Sequence, residues 1–269
     1  LLIYDSYLNG KKNFKALSNY TIITRIVSMI IMVGAIFLTK NIFLIIASYF
    51  TINTLLRIIF FKITFLKNKL NTENDPETIS YGKHLSLMGV LNTFSFYIDK
   101  LLLFHFFGAH ELAVYSIAIA PIEQMKGLIK ITNSLMLPKF SSINLEQTKK
   151  QIWPKIIKMI VVLIILFLIY ILMAPIAFNI LFPEYRESIF FSQVFSLSLV
   201  LAGPIFVLTS ILQADKKTKM LYKFNIITPI FSIITNSLLI YKFNIMGAVI
   251  AKIINYCFNL LVLKIMNKN

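Results

Sequence analysis

Cysteine is nearly absent. Cys257 stands alone, which excludes a disulfide framework and any cysteine-based metal site. Set in an apolar run, it reads as a small buried hydrophobe rather than a reactive thiol. Charge is scarce too: 14% of the 269 residues are charged, where a soluble domain carries about 25%. Acids are the scarcest, 11 against 27 lysines and arginines. Glycine and proline number 8 each, and no glycine-rich loop ends in a Walker lysine. HExxH, paired CxxC and a nucleophile elbow are also missing. These absences argue against a soluble catalytic domain and against ATP as the energy source. No enzyme activity, metal or cofactor is expected.

What is present is apolar. Hydrophobic residues make up 58% of the chain, and Phe alone accounts for 24 positions. About 20 apolar residues in a row span a bilayer as a helix. Eight such windows occur, at 21–38, 42–60, 85–107, 112–137, 156–174, 189–211, 223–240 and 247–264. The sequence therefore predicts an all-α, polytopic transmembrane bundle of four hairpins. Turns on one side are short, apart from 175–188. Connections on the other side are longer and polar, at 9–20, 61–84, 138–155 and 212–222, with a tail at 265–269. The run Asn71-Thr72-Glu73-Asn74-Asp75-Pro76-Glu77 reads as a turn-rich linker. It divides the chain into a two-span piece (1–60), a linker (61–84) and a six-span lobe (85–269). The chain begins Leu-Leu-Ile-Tyr, and residues 1–8 read as the tail of an apolar segment, so an N-terminal portion is expected to be missing.

The net charge of +16 invites a nucleic-acid reading, but its distribution argues against one. Eighteen of the 27 cations fall in or beside the polar connections and the C-terminal tail. The opposite side holds three, Lys40, Arg186 and Lys242. Cations gather on the cytoplasmic side of membrane proteins, so the polar connections and the C-terminus are expected there, and nucleic acid is not an expected partner. Arg25 and Arg57, near cytoplasmic ends, are expected to snorkel.

An ionisable residue at bilayer depth is expensive and marks a candidate site. In span 85–107, Asn92, Ser95 and Asp99 recur at i, i+3 and i+7 and share one helical face, while Lys100 lies about 100° round the helix. In span 112–137, Ser116, Glu123, Lys126, Lys130 and Asn133 form one stripe, with Pro121 beside it. The two helices form one hairpin, so Asp99 with Lys126, or Lys100 with Glu123, is an expected pairing. The last hairpin carries Asn225, Ser232 and Asn236 beside Pro229, and a second stripe of Lys252, Asn255 and Asn259. These groups either line a water-filled cavity for a polar or anionic substrate or act as interhelical glue. His105 lies off the Asp99 face and reads as a packing residue.

The segment from Tyr81 to Ser141, with Asp99-Lys100, the turn FFGAHELAVYSIA and the ending LPKFS, resembles the seventh and eighth helices of polysaccharide repeat-unit flippases, the O-antigen type. That family belongs to the multidrug/oligosaccharidyl-lipid/polysaccharide exporter superfamily. LFPEYRESIFFSQVFSLSL (181–199) and YLNGKKNFKALSNY (7–20) are similar to the family's later and earlier connections. The resemblance implies two helical lobes around a central cavity, with this chain running from the fifth helix to the twelfth. It implies multi-pass insertion in the bacterial cytoplasmic (inner) membrane and movement of an undecaprenyl-diphosphate-linked oligosaccharide to the outer leaflet. The product would be lipopolysaccharide O-antigen or capsule. On that reading Lys100, Lys126, Lys130 and Lys252 attract the diphosphate. Asn92, Ser95, Asn255 and Asn259 bond the glycan. Asp99 and Glu123 either couple an ion or neutralise the lysines, and the lobes rock in alternating access. Implied partners are the lipid-linked substrate, membrane lipids and a polysaccharide polymerase of the same pathway. The rival readings are an exporter of small organic cations, a lipid II flippase and a membrane-embedded enzyme. The first should have an acidic cavity and the last a large outer loop.

Overall fold

The computed structural model describes residues 3–11, 13–66, 76–141, 145–214 and 218–266. Among them there is no strand. The helices are α1 (Ile3–Gly10), α2 (Phe14–Leu38), α3 (Ile42–Leu66), α4 (Pro76–Phe107), α5 (Ala109–Ser141), α6 (Leu145–Leu181), α7 (Ser188–Ala214) and α8 (Thr218–Met266). The seven from α2 onward are long and apolar enough to cross a membrane.

The last of these is two spans. α8 has 49 residues, and at about 1.5 Å per residue a straight helix of that length would be more than twice the roughly 30 Å hydrocarbon core. Asn244 breaks it, with φ 52° and ψ −132°. The Phe231 and Phe258 rings stack 3.8 Å apart, and Thr235 donates to Asn255 Oδ1 at 2.9 Å. Residues so far apart in sequence meet only if the chain folds back at Asn244. At the bend Gly247 lies against the Leu239 carbonyl so closely that a Cβ there would stand 2.0 Å from its oxygen. Glycine is required at that approach. Among the described residues, the two arms of α8 bring the segments of membrane-spanning length to the expected eight.

The other bends are built as economically. Gly108, at φ 91°, joins α4 to α5 by itself; an L side chain rarely adopts that conformation. Asn41 starts α3 by accepting from the Phe43 N–H at 2.9 Å. Between α6 and α7 there is only one short 3₁₀ turn, Pro183–Tyr185.

The sequence reading needs correction at the polar connections. α3 continues to Leu66, α4 begins at Pro76, α5 reaches Ser141 and α6 runs through Pro175 to Leu181. Much of 61–84 and 138–155, and half of 175–188, is therefore helix rather than loop. Hydropathy marks the thickness of the bilayer core; a helix whose backbone bonds are internal does not stop where the lipid does. Residues 67–75 of the linker lie outside the described residues.

Two compact units are present, Leu1–Pro76 and Glu77–Asn269. In the first, α1 packs Tyr4 and Leu8 onto Phe60 of α3, and Tyr20 of α2 stacks on Phe60 at 4.3 Å.

In the second unit α7 is the most buried helix and packs against α5, α6 and α8. Its Ser188, Ser192 and Ser196, at i, i+4 and i+8, are fully buried. Small residues let helices approach closely, and their hydroxyls find partners across the interface: Ser188 donates to the Val114 carbonyl at 2.9 Å, and Ser192 lies 2.5 Å from the Tyr170 hydroxyl. Two apolar clusters result. One gathers Leu103, Tyr115, Ile122, Phe195 and Ile245 near the short turns. The other gathers Ile156, Leu208, Leu212, Phe224 and Leu263 toward the opposite helix ends.

Candidate functional site

Asp99 projects from the inward face of α4, which it shares with buried Ser95 and half-buried Asn92. Its side chain is wholly buried, yet charged company surrounds it. Lys252, from the second arm of α8, places Nζ 3.0 Å from Asp99 Oδ2. The Tyr115 hydroxyl of α5 donates to the same oxygen, while Asp99 Oδ1 is buried without a hydrogen-bond partner. Lys252 also reaches the Phe96 carbonyl at 3.4 Å and lies 4.9 Å from that residue's ring centroid. It keeps 13% of its side-chain surface exposed, against 0% for Asp99.

A second charged pair lies on α5. Lys126 Nζ stands 3.0 Å from Glu123 Oε1, one helical turn away. It donates to the Tyr256 hydroxyl at 3.1 Å and is flanked by the rings of Phe195 and Tyr256, 4.0 and 4.4 Å from their centroids. Lys126 is 3% exposed, its partner Glu123 26%. Lys252 and Tyr256 are i and i+4 on one face of α8, so this arm is clasped to α4 by one lysine and to α5 by the other. Beside them Asn255 accepts from Thr235 and donates to Ser232 Oγ at 3.1 Å, and Asn236 donates to the Ser232 carbonyl at 2.7 Å.

The expected pairings were therefore wrong in detail. Asp99 pairs with Lys252, not Lys126, and Glu123 pairs with Lys126, not Lys100. Axial position is the cause. Asp99 lies nine residues before the Gly108 turn, so Tyr115, seven after it, is near its level; Lys126 lies about 13 Å farther along α5 at 1.5 Å per residue. Lys100 and Glu123 are mismatched in the same way by about 10 Å. Lys100 instead sits half-buried, 5.7 Å from the Tyr97 ring centroid. Asn259 is half-buried on α8. The side chains of Lys130 and Asn133 lie outside the described residues.

One further expectation changes. Cys257 is exposed, not buried. It lines an apolar groove of about 420 Å³ with Ile156, Pro204, Leu208 and Lys264. His105 is exposed and meets Phe106 edge-on at 4.9 Å. Tyr115 and Tyr256 were missed by the sequence reading. Their signal was positional: Tyr115 matches Asp99 in depth across the hairpin, and Tyr256 follows Lys252 by one turn.

A layer of paired charges with aromatic and amide neighbours, enclosed by helices of membrane-spanning length, defines a multi-pass helical membrane protein that keeps ionic groups within its apolar spans. Residues 1–184 match the model of a family described as polysaccharide biosynthesis protein. The chain belongs to that family, and its role lies in making or exporting polysaccharide. The match includes Asp99, Glu123 and Lys126 and ends before Lys252. Comparison with curated proteins and with solved structures gives no match.

Proposed function

We propose that the protein moves a polyprenyl-diphosphate-linked oligosaccharide repeat unit from the cytoplasmic to the outer leaflet of a bacterial inner membrane, for O-antigen or capsule assembly. The observation that carries this reading is the partly exposed Lys252 ammonium beside the fully buried Asp99. A cation held at bilayer depth, with acids beside it and amides one turn away, suits a substrate with an anionic diphosphate and a hydroxyl-rich glycan. The polyprenyl tail remains in lipid, so only the head group needs a polar path. Cavity contacts are assigned to Lys252, Lys100 and Lys126 for the diphosphate and to Asn92, Ser95, Asn255 and Asn259 for the glycan. Rocking of two lobes about that site exposes it to each side in turn, with the C-terminus cytoplasmic by the cation distribution.

The test is translocation in vesicles. Proteoliposomes loaded with a fluorescent oligosaccharide on undecaprenyl diphosphate are treated with an impermeant quencher. Quenching of the inner-leaflet pool is expected only with protein present, and not when undecaprenol-linked fluorophore replaces the diphosphate. Export of ethidium without lipid translocation would support the organic-cation reading instead.

A further inference from the structure

The Lys252 ammonium has three N–H donors, and Asp99 Oδ2 and the Phe96 carbonyl already engage it, so an incoming diphosphate competes with Asp99 for its charge. Resting on the assignment of Lys252 as a diphosphate contact, we propose that Asp99 is a built-in competitor: a carboxylate that occupies the lysine when substrate is absent and is displaced when the diphosphate arrives. The geometry of the pair supports an exchange rather than a fixed strut. Both of Asp99's donors, Lys252 Nζ and the Tyr115 hydroxyl, converge on Oδ2. Oδ1 is buried and unpartnered. Losing Lys252 leaves the carboxylate with one donor still in place, so displacement does not strip it of every partner. The lysine is the partly exposed member of the pair, reachable by an incoming anion, whereas the acid is sealed. A long, flexible ammonium stem can swing from one anion to another; the buried carboxylate on α4 stays where it is.

Competition has consequences that a structural ion pair does not. Removing the acid frees Lys252, so a diphosphate binds more tightly. Removing the tyrosine hydroxyl leaves the carboxylate more dependent on Lys252, so a diphosphate binds more weakly. Neither Asp99 nor Tyr115 touches the ligand in this scheme, and the two substitutions shift affinity in opposite directions. The competitor also favours release: a substrate that reaches the far side is replaced at the lysine by a carboxylate already in place.

Binding of undecaprenyl diphosphate, with undecaprenol as the uncharged control, would be measured on the purified full chain in lipid nanodiscs. Asp99→Asn is expected to tighten diphosphate binding about tenfold or more, the scale of a close charge pair. Tyr115→Phe is expected to weaken it several-fold, and Asp99→Asn/Lys252→Gln to lose the gain. Undecaprenol affinity should stay level throughout. Thermal melting in the same discs identifies any variant that has lost its fold, and the remaining variant then decides. Weaker or unchanged diphosphate binding in folded Asp99→Asn, with Lys252 still required, overturns the exchange but leaves the transport reading standing. Equal binding of undecaprenol and undecaprenyl diphosphate by the unmodified protein overturns both.

Discussion

Lys252→Gln is expected to lower the stability of the solubilised protein by about 3–5 kcal/mol, the usual result of leaving one member of a buried ion pair without its partner. Asp99 is wholly buried while Lys252 retains some exposure. The two single substitutions should therefore differ. Without Lys252, the carboxylate on α4 keeps the Tyr115 hydroxyl but has no counter-ion. Without the carboxylate, in Asp99→Asn, the ammonium still has the Phe96 carbonyl and ring and its 13% exposed surface. Asp99→Asn is accordingly expected to lose less than half as much, and Asp99→Asn/Lys252→Gln to recover most of the loss. Melting of detergent-solubilised protein, followed by size-exclusion fluorescence, reads all three. Equal losses in both single variants, with no recovery in the double, would show that the pair is not what holds α8 to α4.

Lys126→Met separates stability from function. The lysine is buried against Phe195 and Tyr256, and its acid, Glu123, is the more exposed partner. Replacing a buried ion by a well-packed apolar side chain of similar volume is often neutral or stabilising, and a Met side chain fits between two rings. Glu123 can be hydrated where it stands, and Tyr256 loses one hydrogen bond, worth about 1 kcal/mol. Melting is therefore expected to move by no more than about 1 kcal/mol in either direction. Transport is expected to fall tenfold or more, because the centre loses a cation and the tie between α5 and the last helix. The measurement is surface polysaccharide in cells complemented with the variant at matched membrane level. A variant that melts early and exports normally would reverse the assignment of Lys126.

The spans were legible because bilayer thickness imposes a length on apolar runs, and the turn at Gly108 was legible because its flanking windows leave almost no residues for it. The bend at Asn244 was legible as a gap between windows, although the chain stays helical on both sides of it. The helical extensions beyond the membrane were not, since polarity alone does not separate a wet helix from a loop. Within the site, the inward face Asn92–Ser95–Asp99 followed from helical spacing. The Asp99–Lys252 pair did not, because adjacent helices were assumed to supply the partner. Counting from the turns would have suggested it. Asp99 is nine residues before Gly108 and Lys252 eight after Asn244, on turns expected at the same side of the membrane, so both lie at one depth. The serine stripe on α7 was not singled out, because single hydroxyls among 58% hydrophobic residues carry little weight until helix packing gives them partners. Cys257 was misplaced for the converse reason: in a membrane protein an apolar neighbourhood in sequence is as often lipid-facing as core.

The charges of α4, α5 and α8 are proposed to serve a lipid-linked oligosaccharide. The most direct measurement is the pool of undecaprenyl-diphosphate-linked repeat units in cells depleted of this protein, by mass spectrometry of the lipid extract, with inner- and outer-leaflet pools separated by an impermeant glycosidase. Accumulation confined to the inner leaflet is expected, reversed by the unmodified gene and not by Lys126→Met. Accumulation on the outer leaflet, or none at all, would contradict it and place the protein at another step of polysaccharide assembly.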